Sequence, residues 1–317
     1  MRRYFAGRLL QVVPLLFGIS IVVFLVIQAA PGGPEGSLLA AGRFVDPEVI
    51  ESYRRRLGVD QPIYLQYLNW LGAVVRGDLG HSFATSRPVA EMIVERLPAT
   101  VELMGTAFLL AAVLAIPLGL LGGLRPQSAI DLAGTGVSFL GIAMPVFWFG
   151  LLLQLIFSVK LGWLPVGGTG TVGATSLGDH LLHLVLPGLV LSTRYVAGWS
   201  RYFRGSLVGT LRADFVRTAR AKGLAERAVV GTHAVRNAMI PLVSIMALNA
   251  AELFSGAVIT ETVFAWPGIG RLFVQAMFAR DYPVLMGVLL MGALAVIVFN
   301  LVADLLYGFL DPRIRYE

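Results

Sequence analysis

The chain has no cysteine, which excludes disulfides, thiolate metal sites and a thiol nucleophile and leaves the redox compartment open. Charge is scarce too: 14% of the residues are Asp, Glu, Lys or Arg, against 56% apolar. Soluble globular domains carry roughly a quarter charged residues, so part of this chain's solvent is lipid. No Gly-x-x-x-x-Gly-Lys-Ser/Thr loop is present to cradle phosphates, and neither His-Glu-x-x-His nor Gly-x-Ser-x-Gly occurs. Nucleotide hydrolysis by this chain is therefore not expected. An intramembrane hydrolase would need a nucleophile and a base at one depth, and it finds no support.

Long apolar runs are what the chain has instead. Six stretches are candidates for crossing a bilayer: Leu9–Ala30, Val101–Gly123, Gly134–Ser158, Leu184–Arg204, Ile240–Phe264 and Val284–Gly308. Each approaches or exceeds the roughly 20 helical residues that a hydrocarbon core of about 30 Å requires. Pro14, Pro117, Pro145, Pro187 and Pro241 lie in or beside them; membrane helices tolerate proline where neighbouring groups re-satisfy the backbone. The first stretch also has the look of a signal peptide, with Gln28-Ala29-Ala30 as small residues for cleavage, but it is longer than an ordinary signal core.

The net charge is +6, and its placement matters more than its sum. Arg2, Arg3, Arg8, Arg125, Arg201, Arg204, Arg313 and Arg315, with the cluster between Arg212 and Arg236, fall on one side of the six-span arrangement; Lys160, Arg271 and Arg280 fall on the other. Cationic residues in short loops stay cytoplasmic, so both termini are predicted to be cytoplasmic. The basic clusters read as anchors to anionic lipid before a nucleic-acid footprint.

Two loops carry structure. In the first, between Pro31 and Pro98, Asp46-Pro47-Glu48 reads as a helix start with Gly58 as its stop, Pro62 to about Val75 as a second helix with Tyr64, Leu65, Leu68 and Leu71 at helical spacing, and Arg87–Arg96 as a third. In the loop before the fifth span, Asp214 is predicted to cap a short helix over Phe215-Val216-Arg217-Thr218-Ala219-Arg220-Ala221-Lys222, stopped by Gly223. Eight helical residues make a rod of about 12 Å. With a small face at Ala219 and bulk at Phe215 and Leu224, this rod suits a groove on a partner; a basic helix lying on lipid is the other reading of the same spacing. Arg271–Arg280 is too short to span and reads as an interfacial or re-entrant helix.

Taken together, several motifs resemble the B-type permease subunit of bacterial dipeptide and oligopeptide ABC importers, a group that includes nickel and other small-ligand systems. The likeness runs nearly end to end. It is carried by Gly77-Asp78-Leu79-Gly80-His81-Ser82, Arg96-Leu97-Pro98-Ala99-Thr100, Leu161-Gly162-Trp163-Leu164-Pro165, Arg217-Thr218-Ala219-Arg220-Ala221-Lys222-Gly223-Leu224, Glu261-Thr262-Val263-Phe264 with Trp266-Pro267-Gly268, Arg280-Asp281-Tyr282-Pro283 and Leu310-Asp311-Pro312-Arg313. The resemblance implies an all-α, polytopic inner-membrane fold with six transmembrane helices, of the type I ABC importer permease kind, with a small helical extracytoplasmic insertion. It divides the chain into a tail and first span (1–30), an outer helical loop (31–98), the permease core (99–308, coupling loop 205–239) and a cytoplasmic tail (309–317).

The resemblance further implies that Asp214, Phe215, Arg217, Thr218, Ala219, Arg220, Ala221, Lys222, Gly223 and Leu224 form the coupling helix that docks on an ATPase subunit. Aligned on Gly223, the family's Glu-Ala-Ala positions are Arg217, Thr218 and Ala219 here, and its following proline is Pro241; docking by shape carries over, a salt bridge from the Glu does not. The expected partners are a second homologous permease subunit, two ATP-binding subunits that hold ATP and Mg, an extracytoplasmic substrate-binding protein, the lipid bilayer and a peptide substrate. No cofactor is expected in this chain.

Single polar residues admit two readings each. Glu252 in the fifth span and Arg194 in the fourth are costly in lipid unless they face water or a partner; each is a candidate for the translocation pathway, or a structural hydrogen bond and a snorkelling cation respectively. His180 and His183 beside Asp179 offer too few ligands for a metal site and fit a helix start. Asp304 is expected to pair with a loop arginine. A secondary transporter would show paired repeats with broken helices, and no such symmetry is visible.

Overall fold

A computed structural model of the chain describes residues 2–29, 61–173 and 176–310, and for 2–9, 137, 140, 142, 251–256 and 303–310 the backbone alone. The helix expected between Asp46 and Gly58 and the motif from Leu310 to Arg313 lie wholly or largely outside the described residues. Those described are almost all helical: α1 (Arg2–Gln28), α2 (Ile63–Val75), α3 (Val89–Leu124), α4 (Ala129–Ala143), α5 (Val146–Leu153), α6 (Leu177–Leu211), α7 (Asp214–Ala221), α8 (Arg236–Val263), α9 (Ile269–Ala279) and α10 (Tyr282–Leu310). Among the described residues five stretches have the length and apolarity to cross a membrane: Leu10–Gln28, Val89–Leu124, Leu177–Leu211, Glu226–Ala250 and Tyr282–Val302.

The third predicted span is not one helix. It divides into α4 and α5 at Met144-Pro145, where Pro145 sits extended at φ −58°, ψ 133° and α5 begins. Proline lacks the N–H that would continue the ladder and pushes its predecessor out of the helical region. Beyond Leu153 the chain widens into a π-helical segment, Gln154–Lys160. The third outer-loop helix is likewise revised: Val89 begins α3, which runs unbroken through Pro98. At about 1.5 Å per residue a helix of this length is about 54 Å long, so it reaches well beyond a bilayer core.

The chain forms two compact units. One comprises residues 1–100 and 267–297. In it α2 packs on α1 through Tyr67 and Trp70: their rings lie 5.4 and 5.6 Å from that of Phe24, and the Tyr67 hydroxyl hydrogen-bonds the Ser20 hydroxyl at 2.9 Å. Tyr64, Leu65 and Leu68, the face expected from spacing, are exposed; the aromatic pairs with Phe24, each contributing about 0.5–1.5 kcal/mol beyond burial, set the face instead. The loop after α2 turns through Gly77 and Gly80, both at positive φ, and leads by a single bridge between His81 and Pro88 into α3. There Asp281, at the α9–α10 junction, accepts from the Ser82 hydroxyl (2.5 Å) and from the backbone N–H groups of Phe83 (3.0 Å) and Ala84 (3.3 Å). The Thr100 hydroxyl accepts from the Ile269 N–H at the start of α9 (2.8 Å).

The other unit comprises residues 101–266 and 298–317. Lipid removes most of the hydrophobic drive between helices, so close packing and small residues hold them together. Along α3, Gly119 and Gly123 seat α6: a Cβ at Gly119 would lie 2.8 Å from the Ser200 carbonyl oxygen and 2.9 Å from Phe203, and one at Gly123 would lie 2.8 Å from Leu207. Further up, Phe108 meets Trp199 edge-on at 5.0 Å, and Trp199 donates to Asn249 of α8 at 3.0 Å. The loop after the π segment folds onto the end of α8. Gln154 donates to the carbonyls of Val166 (2.7 Å) and Val263 (3.2 Å), while Gly168 N–H donates to the Phe264 carbonyl (2.8 Å). Phe264 is buried with Leu186 and Val190, flanked by Phe149, Phe157 and Leu164.

α6 begins with Ser176 as its cap, accepting from the Asp179 N–H. The two histidines there are used locally: His180 bonds the Thr169 carbonyl (2.7 Å) and the Glu102 carboxylate (2.6 Å), and His183 bonds the Asp179 carbonyl (2.9 Å).

Candidate coupling helix and pathway face

α7 is a rod of 8 residues. Its start differs from the sequence expectation: Ala213, extended at φ −70°, ψ 150°, occupies the cap position without a side-chain hydrogen bond, and Asp214 is the first helical residue. There it favours the positive end of the helix dipole, and its carboxylate lies 3.2 Å from Arg217 one turn on. The far end closes as expected. Gly223 adopts φ 76°, its N–H donates to Arg220 (2.9 Å), and the Leu224 N–H reaches the Ala219 carbonyl at 3.5 Å. This pair of bonds is the Schellman stop, which needs a left-handed residue where only glycine fits without strain.

The packing face of α7 also differs. Val216 and Ala219 turn inward and are buried together with Val229, so the small residue expected on the docking face belongs to the seat. Asp214, Phe215, Arg217, Thr218, Arg220, Ala221, Lys222, Gly223 and Leu224 are exposed. Phe215 and Leu224 each leave nearly half of their surface free. A residue not foreseen from sequence, Glu226, braces the rod: its carboxylate accepts from Arg220 Nη2 at 2.7 Å and Nε at 3.1 Å. That hydrogen bond is the main cause of the Arg220 guanidinium rising above its ordinary value, its Coulomb attraction adding and desolvation opposing. The signal was the spacing, since Glu226 follows the Gly223 stop by one turn. After it, a turn (Glu226–Ala228) and a π-helical segment (Val229–Val235) lead into α8.

The two pathway candidates fall on neighbouring helices of one unit. Arg194 lies on α6 and is exposed, with no partner among the described residues. Glu252 lies on α8, its side chain outside the described residues. The two are not brought together by any described contact. Asp304, on α10, also has its side chain outside the described residues. A buried acid that pairs with an arginine is Asp131 of α4, missed in the sequence: it accepts from Arg204 Nε (2.5 Å) and Nη2 (2.6 Å) and from the Gln127 N–H (2.8 Å). Beside this pair a small cleft is lined by Leu118, Thr135, Ser138, Ser200 and Arg201, and the Arg201 guanidinium sits 5.2 Å over the Phe139 ring.

A polytopic all-α protein whose described contacts include glycine seats, hydroxyl bonds and the Asp131–Arg204 ion pair, and which presents a short braced helix between two spans, is built as the membrane component of a transporter. Family comparison agrees in both halves. Residues 115–316 match the model of the binding-protein-dependent transport system inner membrane component, and residues 1–104 match that family's N-terminal membrane component model. The chain belongs to this family: it is a multi-pass inner-membrane permease subunit of an ABC importer. It is similar over 100% of both chains to the oligopeptide transport system permease protein AppB of Bacillus subtilis (42% identity). The same full coverage holds for the di/tripeptide transport system permease protein DppB of Pseudomonas aeruginosa (40%) and the glutathione transport system permease protein GsiC of Escherichia coli (41%). Among solved structures, a chain of an amino acid ABC transporter with histidines superposes with a TM-score of 0.54 at 12% identity, covering 69% of this chain and 94% of that one. At that identity the likeness is one of fold.

Proposed function

We propose that the chain forms half of the translocation pathway for small peptides and couples it to separate ATP-hydrolysing subunits through α7. The observation that carries the substrate class is that three full-length relatives, each at 40% identity or more, are named for oligopeptides, di/tripeptides and glutathione, itself a small peptide. For the division of labour, the support is an exposed rigid helix together with a sequence that has no phosphate-cradling loop.

In this reading ATP and Mg reside in two partner subunits, whose closure is passed to α7. A second homologous permease completes the cavity, an extracytoplasmic binding protein delivers the peptide, and both termini are cytoplasmic. Asp214, Phe215, Arg217, Thr218, Arg220, Ala221, Lys222 and Leu224 form the contact surface for the ATPase. Gly223 sets its end and Ala219 its seat. Arg194 and Glu252 line the pathway. The rod moves as one body because Val216 and Ala219 are buried and Arg220 is tied to Glu226; a frayed helix would absorb the motion.

The test is uptake of a labelled dipeptide by membranes expressing the whole operon. Uptake abolished by vanadate and insensitive to an uncoupler, with an ATPase co-purifying on the tagged chain, is the expected outcome. Uptake that collapses with the uncoupler and ignores vanadate would remove the ATP-coupled reading.

A further inference from the structure

α6 carries an open, cationic stripe at the depth where a charge is hardest to keep. Arg194 stands at the midpoint of the apolar run Leu184–Arg204, about 15 Å from either end at 1.5 Å per residue, well beyond the length of its own side chain. Snorkelling to the headgroups is therefore beyond its reach. A lone guanidinium facing hydrocarbon at that depth is disfavoured by at least about 2.5–3.5 kcal/mol, so this face meets water or an anion. Gly198, Arg201 and Gly205 follow Arg194 at steps of four, three and four residues and lie on the same face. A Cβ at Gly198 or Gly205 would meet nothing within 4 Å, so the surface beside each guanidinium is open. The opposite face, with Tyr195, Trp199 and Phe203, is buried.

The arginines of α6 differ in what they hold. Arg204 is satisfied by the buried Asp131 carboxylate. Arg201 has its Nε on the Ala197 carbonyl (3.1 Å) and its face on Phe139, with no carboxylate among the described residues. Arg194 has none either. Peptides that differ in every side chain still share a backbone, one ammonium and one carboxylate. Of these the carboxylate is the group that a planar guanidinium binds in two-point fashion.

We infer that Arg194 receives the C-terminal carboxylate of the peptide in transit, and that Arg201, about 10 Å further along the same stripe, receives it next. This rests on the peptide reading above. It goes beyond lining: it makes the free carboxylate a group that the permease itself recognises.

The experiment uses the complete importer in proteoliposomes, with trialanine and trialanine amide as probes at saturating binding protein and chain variants Arg194→Gln and Arg194→Lys. The expected result is that Arg194→Gln lowers trialanine uptake about tenfold or more, the scale of losing one charge-assisted pair, while amide uptake stays within about twofold and Arg194→Lys keeps most of the trialanine uptake. Wild-type amide uptake is expected at about the level of trialanine uptake by Arg194→Gln; a wild type that takes up the amide as fast as trialanine, or not at all, overturns the inference. Equal loss on acid and amide, equal loss in Gln and Lys variants, or no loss overturns the inference; equal loss on both peptides is also the result expected if Arg194 instead holds a carboxylate of a partner subunit. If the wild type accumulates neither peptide, the peptide reading itself fails, which is a separate result.

Discussion

The Ser82 hydroxyl donates to the Asp281 carboxylate across 199 positions of sequence, and this one contact joins two of the motifs that mark the chain. Gly77-Asp78-Leu79-Gly80-His81-Ser82 forms the turn before α3, and Arg280-Asp281-Tyr282-Pro283 forms the joint between α9 and α10. At that joint Arg280 is held left-handed at φ 52°, which points the next residue back toward the turn. Asp281 is 3% exposed, so its charge is stabilised by three donors rather than by water.

Removing that acceptor is predicted to be among the more damaging single changes in this unit. Asp281→Ala leaves a hydroxyl and two N–H groups without their acceptor and is expected to destabilise by about 3 kcal/mol, whereas Ser82→Ala, which removes one donor and the acceptor for Thr85, costs about 1–2 kcal/mol. Asp281→Asn does not rescue, because its NH2 would face either the Phe83 donor or the Ser82 and Ala84 donors. Thermal melts of the purified subunit in detergent rank the three. Equal melting of Asp281→Ala and Ser82→Ala would show that the carboxylate does not organise the turn.

Asp131→Asn strands the Arg204 guanidinium against α4. Fully buried pairs lose about 3–5 kcal/mol when one partner goes; Arg204 retains 35% of its side-chain exposure, so a loss of about 2 kcal/mol is expected. The double change Asp131→Asn with Arg204→Gln is predicted to recover most of it, since no charge is then left unpaired. Melting temperatures of the wild type, both single variants and the double variant close the cycle.

Much of this architecture was legible because its causes are local. Apolar length announced the spans, Gly223 announced the end of α7, and Pro62 the start of α2. What the sequence hid was set by contacts distant along the chain. Pro145 broke the third span although Pro14, Pro187 and Pro241 stayed inside theirs, and nothing in one helix's own composition separates those cases. Tyr67 and Trp70, rather than the leucine stripe of α2, carry its packing because Phe24 of α1 waits opposite. Ala219 looked like a docking face for want of knowing that Val229, ten residues on, would cover it. Asp131 drew no reading from sequence, because Arg204, its partner, lies 73 positions on.

Gly223 tests the stop of α7 by conformation alone. A Cβ there would meet nothing, so any effect of substitution comes from φ 76° and not from a clash. Gly223→Val is expected to strain the backbone by about 1–2 kcal/mol and Gly223→Asn by less, because Asn visits the left-handed region. Peptide uptake should fall in the order Gly, Asn, Val at unchanged membrane level. An Asn variant worse than Val would mean that the position acts through size.

The absence of cysteine makes the surface of α7 directly readable, since every engineered thiol is the only one in the chain. Val216 and Ala219 are 0% and 6% exposed, whereas Phe215 is 47% exposed and Thr218 and Ala221 are exposed further along the rod. Cysteines placed at 215, 218 and 221 are therefore expected to react with a water-soluble maleimide in the isolated subunit, and one at 219 to resist it. When the ATPase is bound, the reactive positions should become protected together, because a rod seated in a groove buries one continuous face. Position 219 should stay as it was, being covered by its own chain in both states. Protection of 219 on ATPase binding, after free labelling without it, would show that α7 leaves its seat to dock, and the rigid transmission argued from Val216, Ala219 and Val229 would then be wrong.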